Sequence, residues 1–296
     1  MEGDHNMPVN TEDHVQPALM TEDFGDAEMP YLFYDGHGPT IIFLHATGFL
    51  PWLWHPIARE LFPSYTVIAP YICDYRKADP EKGAIPWAVA AQDIAAFCKR
   101  HAIETPFLVG HSMGATILTL ANVLYGVKAK GMILIEPIFL HEDFYHIHFT
   151  VKDHPLASKS LKRTSHWRNT AEAMAYLKSK ELFKHWTEEM LELYIRYGMK
   201  EQKGGGLELA CSPQTEAALF LGGVQYNLWP ILPQVSCPVL VVAGEMSDSK
   251  QYIDLERAVS KVPKASQMTI ADAGHLIPME QPEKITTIIR DFFSNI

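Results

Sequence analysis

Leu108-Val109-Gly110-His111-Ser112-Met113-Gly114-Ala115 decides how this chain is read, because it sets a G-x-S-x-G pentapeptide between an apolar run and a small-residue helix pattern. Glycines two residues to either side of Ser112 let the backbone turn sharply from strand to helix, which lifts the serine hydroxyl to the edge of a sheet. The flanks give the motif its weight. Phe107-Leu108-Val109 reads as a short buried strand, and the stretch from Ala115 to Ala121 reads as a helix packed closely on a sheet.

A serine hydroxyl is a weak nucleophile near neutral pH and needs a base, itself oriented by an acid. Pro238-Val239-Leu240-Val241-Val242-Ala243-Gly244 reads as a second apolar strand opening into the polar turn Glu245-Met246-Ser247-Asp248, which makes Asp248 the candidate acid. Met268-Thr269-Ile270 reads as a further strand, followed by Asp272-Ala273-Gly274-His275 and a terminal helix near Gln281-Pro282-Glu283. His275 is the candidate base. Glu136, which ends the strand Gly131-Met132-Ile133-Leu134-Ile135, is the alternative acid or else a buried hydrogen-bonding group.

Acyl transfer also needs backbone N–H groups aimed at the oxygen that becomes negative. Ile41-Ile42-Phe43-Leu44 reads as an apolar strand running into the turn His45-Ala46-Thr47-Gly48-Phe49. With that turn in place, the chain resembles the α/β-hydrolase superfamily. A strand-H-x-x-G turn, a G-H-S-x-G elbow, a G-x-x-x-D turn and a D-x-G-H turn follow in order over about residues 40 to 290. His45-Ala46-Thr47-Gly48-Phe49 with Trp54 is similar to an "HATGF…W" branch of capped serine hydrolases. The resemblance implies an α/β fold with a mostly parallel central sheet flanked by helices, and the serine, acid, histidine order of that fold. It also implies an oxyanion hole formed by the amides of Met113 and Thr47, with Ala46 as the alternative to Thr47. Two positions depart from the common pattern. Tyr71-Ile72-Cys73-Asp74-Tyr75-Arg76 stands where relatives carry an R-G-H-G-x-S loop, and Ala115 stands where many have a second glycine.

Composition agrees with a globular enzyme. The 296 residues, 47% of them hydrophobic, can bury a large core and hold an insertion as well. A formal net charge of −10 argues against a nucleic-acid partner, since neutralising phosphates takes clustered Lys and Arg. No apolar run approaches a membrane span. The acidic, polar start Met1-Glu2-Gly3-Asp4 lacks the pattern of a secretory signal. Cys73, Cys98, Cys211 and Cys237 have neither metal-ligand nor disulfide-framework spacing and read as free thiols, which points to the cytoplasm. The sequence leaves the oligomeric state open.

Residues 1–16 read as a flexible N-terminal arm, 17–138 and 233–296 as the hydrolase core, and 139–232 as an inserted helical cap. Amphipathic stretches such as Thr170 to Leu177 and Glu188 to Ile195 support the cap. Its aromatics are numerous, and most of them are expected to form its own core. His45, Phe49, Trp54, His111, Trp167 and Trp186 are the candidates for a pocket over Ser112. His141-Glu142-Asp143-Phe144-Tyr145-His146-Ile147-His148 lacks metal-site spacing, and Gly204-Gly205-Gly206 reads as a flexible turn rather than a phosphate loop.

These features point to hydrolysis of an apolar or aromatic small-molecule ester through an acyl-enzyme, with no metal and no organic cofactor. A serine at the elbow disfavours haloalkane dehalogenase and epoxide hydrolase chemistry, which use aspartate there. A C–C bond hydrolase or hydroxynitrile lyase reaction on the same scaffold is one alternative, although the C–C hydrolase elbow typically has asparagine where this chain has His111. A ligand receptor without turnover is another.

Overall fold

The computed structural model describes residues 15–296 except 74 and 77. The expected arm, apart from residues 15 and 16, and Asp74 of the atypical loop therefore lie outside the described residues.

The chain opens with strands β1 (Ala18–Asp23), β2 (Glu28–Tyr34) and β3 (Thr40–Leu44), then helix α1 (His55–Leu61), β4 (Thr66–Pro70) and α2 (Trp87–Arg100). Next come β5 (Phe107–His111), α3 (Met113–Leu124) and β6 (Gly131–Ile135). The segment that follows holds α4 (Pro155–Lys162), β7 (His166–Trp167), α5 (Thr170–Lys178), α6 (Glu188–Gly198), β8 (Met199–Glu201), β9 (Leu207–Leu209) and α7 (Pro213–Gly222). The chain then returns through β10 (Val239–Gly244), α8 (Leu255–Lys261), β11 (Ala265–Ile270), α9 (Ile277–Glu280) and α10 (Pro282–Ser294). Among the described residues no helix is long and apolar enough to cross a membrane.

Among the described residues, eight strands form one sheet in the order β1-β2-β4-β3-β5-β6-β10-β11. The pairs β1–β2 and β2–β4 are antiparallel, and every pair from β4–β3 through β10–β11 is parallel. Every residue of β5, β6 and β10 is buried. That is why those segments read as unbroken apolar runs: helices cover both faces. Period-two alternation sorts the side chains of β3, sending Ile42 and Leu44 to a core that holds Ile94 and Phe97 of α2, and Ile41 and Phe43 to one that holds Ile57 of α1 and Phe293 of α10.

Parallel strands put their carboxyl ends at one edge of the sheet, so the turns after β3, β5, β6, β10 and β11 converge there. Two glycines permit the approach. A Cβ on Gly110 would sit 2.5 Å from the α-carbon of Ala115, and one on Gly114 would sit 2.3 Å from the Leu44 carbonyl oxygen.

The segment between β6 and β10, expected to be helical, also contains a three-stranded antiparallel sheet in the order β7-β9-β8. These strands are only two to three residues long, too short to show a period in sequence. Gly204, Gly205 and Gly206 form the turn between β8 and β9, with φ of 115°, 96° and 94°, values open to glycine and costly for other residues.

Candidate active site

Ser112 leaves β5 with φ 54° and ψ −117°, a conformation costing of order 1–3 kcal/mol for a residue with a side chain. Its amide donates to the Ile135 carbonyl at 2.8 Å, which holds the turn. Glu136 ends β6 the same way, with φ 48° and its amide donating to Val242 O at 2.8 Å. Two adjacent strands thus end in left-handed residues, each pinned to the neighbouring strand.

These turns align three side chains. Ser112 Oγ lies 3.1 Å from His275 Nε2, and His275 Nδ1 lies 3.0 Å from Glu136 Oε2. An ionised carboxylate only accepts, so Nδ1 carries the proton and Nε2 is free to accept from the serine hydroxyl. Glu136 is 1% exposed and also accepts from the Gly244 amide at 2.7 Å and from the hydroxyls of Ser247 and Ser249, each at 2.6 Å. Burial alone raises the pKa of such a carboxyl. The hydrogen bond and charge of His275, with the two serine hydroxyls, outweigh burial and hold Glu136 below the ordinary carboxylate value.

Asp248, expected to orient His275, does not meet it. The turn after β10 points Ser247 and Ser249 inward to Glu136, and Asp248 between them is exposed to solvent. The turn read as the source of the acid supplies instead the hydroxyls that stabilise an acid from the neighbouring strand.

His111 and His45 are buried and neutral. His111 Nε2 donates to the His275 carbonyl at 2.8 Å, and burial, then the nearby His275 charge, pushes its pKa down to about 3. His45 Nε2 accepts from the Ile72 amide at 2.9 Å, so Nδ1 carries the proton and donates to Ala46 O at 2.9 Å. Burial lowers its pKa to about 4. Both are fixed in a single tautomer that braces the backbone around the site.

The turn after β3 is closed by the Phe49 amide on Ala46 O at 3.2 Å and passes through Gly48 at φ 79°. Among the described residues, neither the Thr47 nor the Met113 amide meets an acceptor. His45, Phe49, Trp54 and His111 line one cavity of about 10 Å³, room for a single water rather than a substrate. Trp54 packs on Phe43 at 4.8 Å between centroids, and its buried indole N–H has no partner among the described residues.

The two insertion tryptophans diverge. Trp186 lies 5.5 Å from Phe49 and 5.8 Å from Tyr194, at the seam where the Thr187 amide donates to Met279 O at 3.2 Å. Trp167 packs at a tilt against Tyr176, with 5.4 Å between ring centroids, inside the insertion.

Among the described residues, no group of three or more His, Cys, Asp or Glu side chains is placed to hold a metal ion. In the His141 to His148 stretch, Glu142 pairs with Arg257 at 2.8 Å. Sequence reading missed Ser247 and Ser249, whose signal was the Ser-Asp-Ser alternation itself. It also missed Glu216, whose carboxylate lies against Gly48.

A serine on a strained strand-to-helix turn, hydrogen-bonded to a histidine that is bonded to a buried carboxylate, defines a class of nucleophile-bearing α/β proteins. Residues 41–287 match the model of the Alpha/beta hydrolase family, and the chain belongs to that family. It is similar to 2-(acetamidomethylene)succinate hydrolase of Mesorhizobium japonicum, 23% identical over 87% of this chain and 88% of the relative. A crystal structure of E-2-(acetamidomethylene)succinate hydrolase matches with TM-score 0.79 at 21% identity, covering 94% of this chain and all of that one. A malate-bound thermophilic esterase from Thermogutta terrifontis matches with TM-score 0.69 at 22% identity, covering 95% and 98%. At these identities the likeness is one of fold.

Proposed function

We propose that the protein is a serine hydrolase that cleaves a carboxylic ester of an apolar or aromatic small molecule through an acyl-enzyme. The observation that carries this reading is the hydrogen-bonded chain from Ser112 Oγ through His275 to Glu136, at 3.1 and 3.0 Å. His275 Nε2 takes the Ser112 proton as Oγ attacks the ester carbonyl, and the amides of Thr47 and Met113 receive the oxyanion. The imidazolium then protonates the departing alkoxide. Water attacks the acyl-enzyme with its proton passing to His275, and return of that proton to Ser112 releases the acid. Glu136 holds the Nδ1–H tautomer and stabilises the imidazolium without taking the proton.

The aromatic cluster of Phe49, Trp186 and Tyr194 beside the turn after β3 supports an apolar or aromatic substituent on the substrate. Four buried thiols without disulfides suit a reducing cytoplasm, where we place the protein. The name of the Mesorhizobium relative supports a second reading, in which the same serine, base and acid hydrolyse a substrate other than a simple ester.

An ester panel run with wild type and Ser112→Ala tests the proposal. Turnover of apolar esters that vanishes in the variant, together with a fluorophosphonate adduct mapped to Ser112, is the expected result. Undiminished turnover in Ser112→Ala, or an adduct elsewhere, overturns it. A receptor without turnover gives no product on the whole panel.

A further inference from the structure

The insertion places a partly buried ion pair on the turn after β3. Arg163, just past α4, donates through Nη1 to both oxygens of Glu216 of α7, at 2.8 and 2.9 Å, and through Nη2 to the Tyr194 hydroxyl at 3.3 Å. Glu216 is 6% exposed. A Cβ built on Gly48 would lie 2.2 Å from Glu216 Oε1, so the carboxylate rests on that α-carbon. Consecutive α-carbons are about 3.8 Å apart, which places the carboxylate one residue from Thr47.

Both Glu216 oxygens share a single Arg163 nitrogen, whereas the Arg163 side chain, 23% exposed, keeps Nε and one Nη2 hydrogen with no acceptor among the described residues and open to solvent rather than buried. The pair's chemistry suits reading a ligand: open N–H donors for an acceptor oxygen, beside a negative charge that repels an anion.

We propose that Arg163 and Glu216 set the charge preference of the site, with Arg163 donating to an uncharged carbonyl or ether oxygen of the substrate and Glu216 excluding substrates that carry a carboxylate. The proposal rests on the ester reading above and narrows its substrate class to uncharged esters. Glu216 cancels the guanidinium charge that would otherwise draw anions in.

Para-nitrophenyl valerate and para-nitrophenyl hydrogen succinate, close in size and different in charge, test it. Wild type favours the valerate. Glu216→Gln should raise the succinate-to-valerate ratio of kcat/KM by on the order of tenfold or more, and Arg163→Gln, which leaves Glu216 unpaired, should lower it by a similar factor. Opposite signs separate this role from a purely structural pair, whose loss would depress both esters together with the ratio unchanged. A ratio within about twofold of wild type in whichever of the two variants folds overturns the proposal.

Calorimetric binding of the same two esters, with Ser112→Ala in every background, gives a readout without turnover. The affinity ratio should shift in the same two directions. If it shifts while wild type turns over no ester, the ester reading falls and the charge preference stands. Turnover of esters by wild type with no shift in either ratio sinks the charge preference alone.

Discussion

Glu136 Oε2 lies 3.0 Å from His275 Nδ1, a contact made between the ends of two core segments 139 residues apart in sequence. Its consequence is a carboxylate held by four donors, two of them from the turn after β10 that also carries the exposed Asp248. A group so surrounded is preorganised to fix one imidazole tautomer. Glu136→Gln should therefore lower kcat by about 10⁴-fold, because the amide can offer Nδ1 a donor and favour the wrong tautomer. Asp248→Asn should change kcat by less than about threefold, as surface substitutions do. Steady-state kinetics on the two folded variants decides, and the reverse ranking would return the acid to Asp248.

Ser112→Ala should lose on the order of 10³-fold or more in kcat, since nucleophile and base act as a unit. The same variant should be no less stable than wild type. Ser112 pays a strain cost at φ 54° that alanine shares, while its side chain gives up only the hydrogen bond to His275. Denaturant midpoints measured alongside activity check both halves, and a large loss of stability would recast the serine as structural.

The neutral histidines make the fold acid-sensitive. His45 and His111 have pKa values pushed down to about 4 and about 3 from an ordinary 6.5, so below pH 6.5 the unfolded chain binds protons that the native state refuses. Stability is fully present above pH 6.5 and falls as pH drops toward those values, by about 2 kcal/mol per histidine at pH 5. Glu136, depressed below 4.5, adds a further loss below that pH. Chemical denaturation at pH 7 and pH 5 should show the decline, and His111→Gln should flatten it. A pH-independent midpoint over that range would contradict the buried neutral state.

The strands β3, β5, β6 and β10 were legible as apolar runs because burial on both faces leaves no polar position to interrupt them. Gly110 and Gly114 were legible because a Cβ there meets backbone. The turn after β10 was found and its role misread: sequence offers Asp248 as the obvious acid, while the backbone of a short turn decides that its two serine neighbours face inward. The Arg163–Glu216 pair carries no periodic signal, since its members lie 53 residues apart on separate elements of the insertion. Its place on Gly48 follows from how the insertion docks on the core, which local pattern does not encode.

Trp186 and Trp167 looked alike in sequence, and their surroundings now separate their expected effects. Trp186 touches Phe49 of the turn after β3, so truncating it opens space beside the site. Trp186→Ala should alter kcat/KM between bulky and acetyl esters by roughly 1–3 kcal/mol, the range for one lost apolar contact, and nearly spare the acetyl ester. Trp167 packs on Tyr176 within the insertion, and among the described residues both indole N–H groups lack partners, so no polar bond seen there would be broken by alanine at either tryptophan. Trp167→Ala should instead cost about 3–5 kcal/mol of stability through the cavity it leaves, with little change in relative kcat/KM among esters. Selectivity ratios and denaturation midpoints on both variants test the division. Equal selectivity shifts from the two would show that the insertion acts as one packed unit rather than presenting a distinct wall to the substrate.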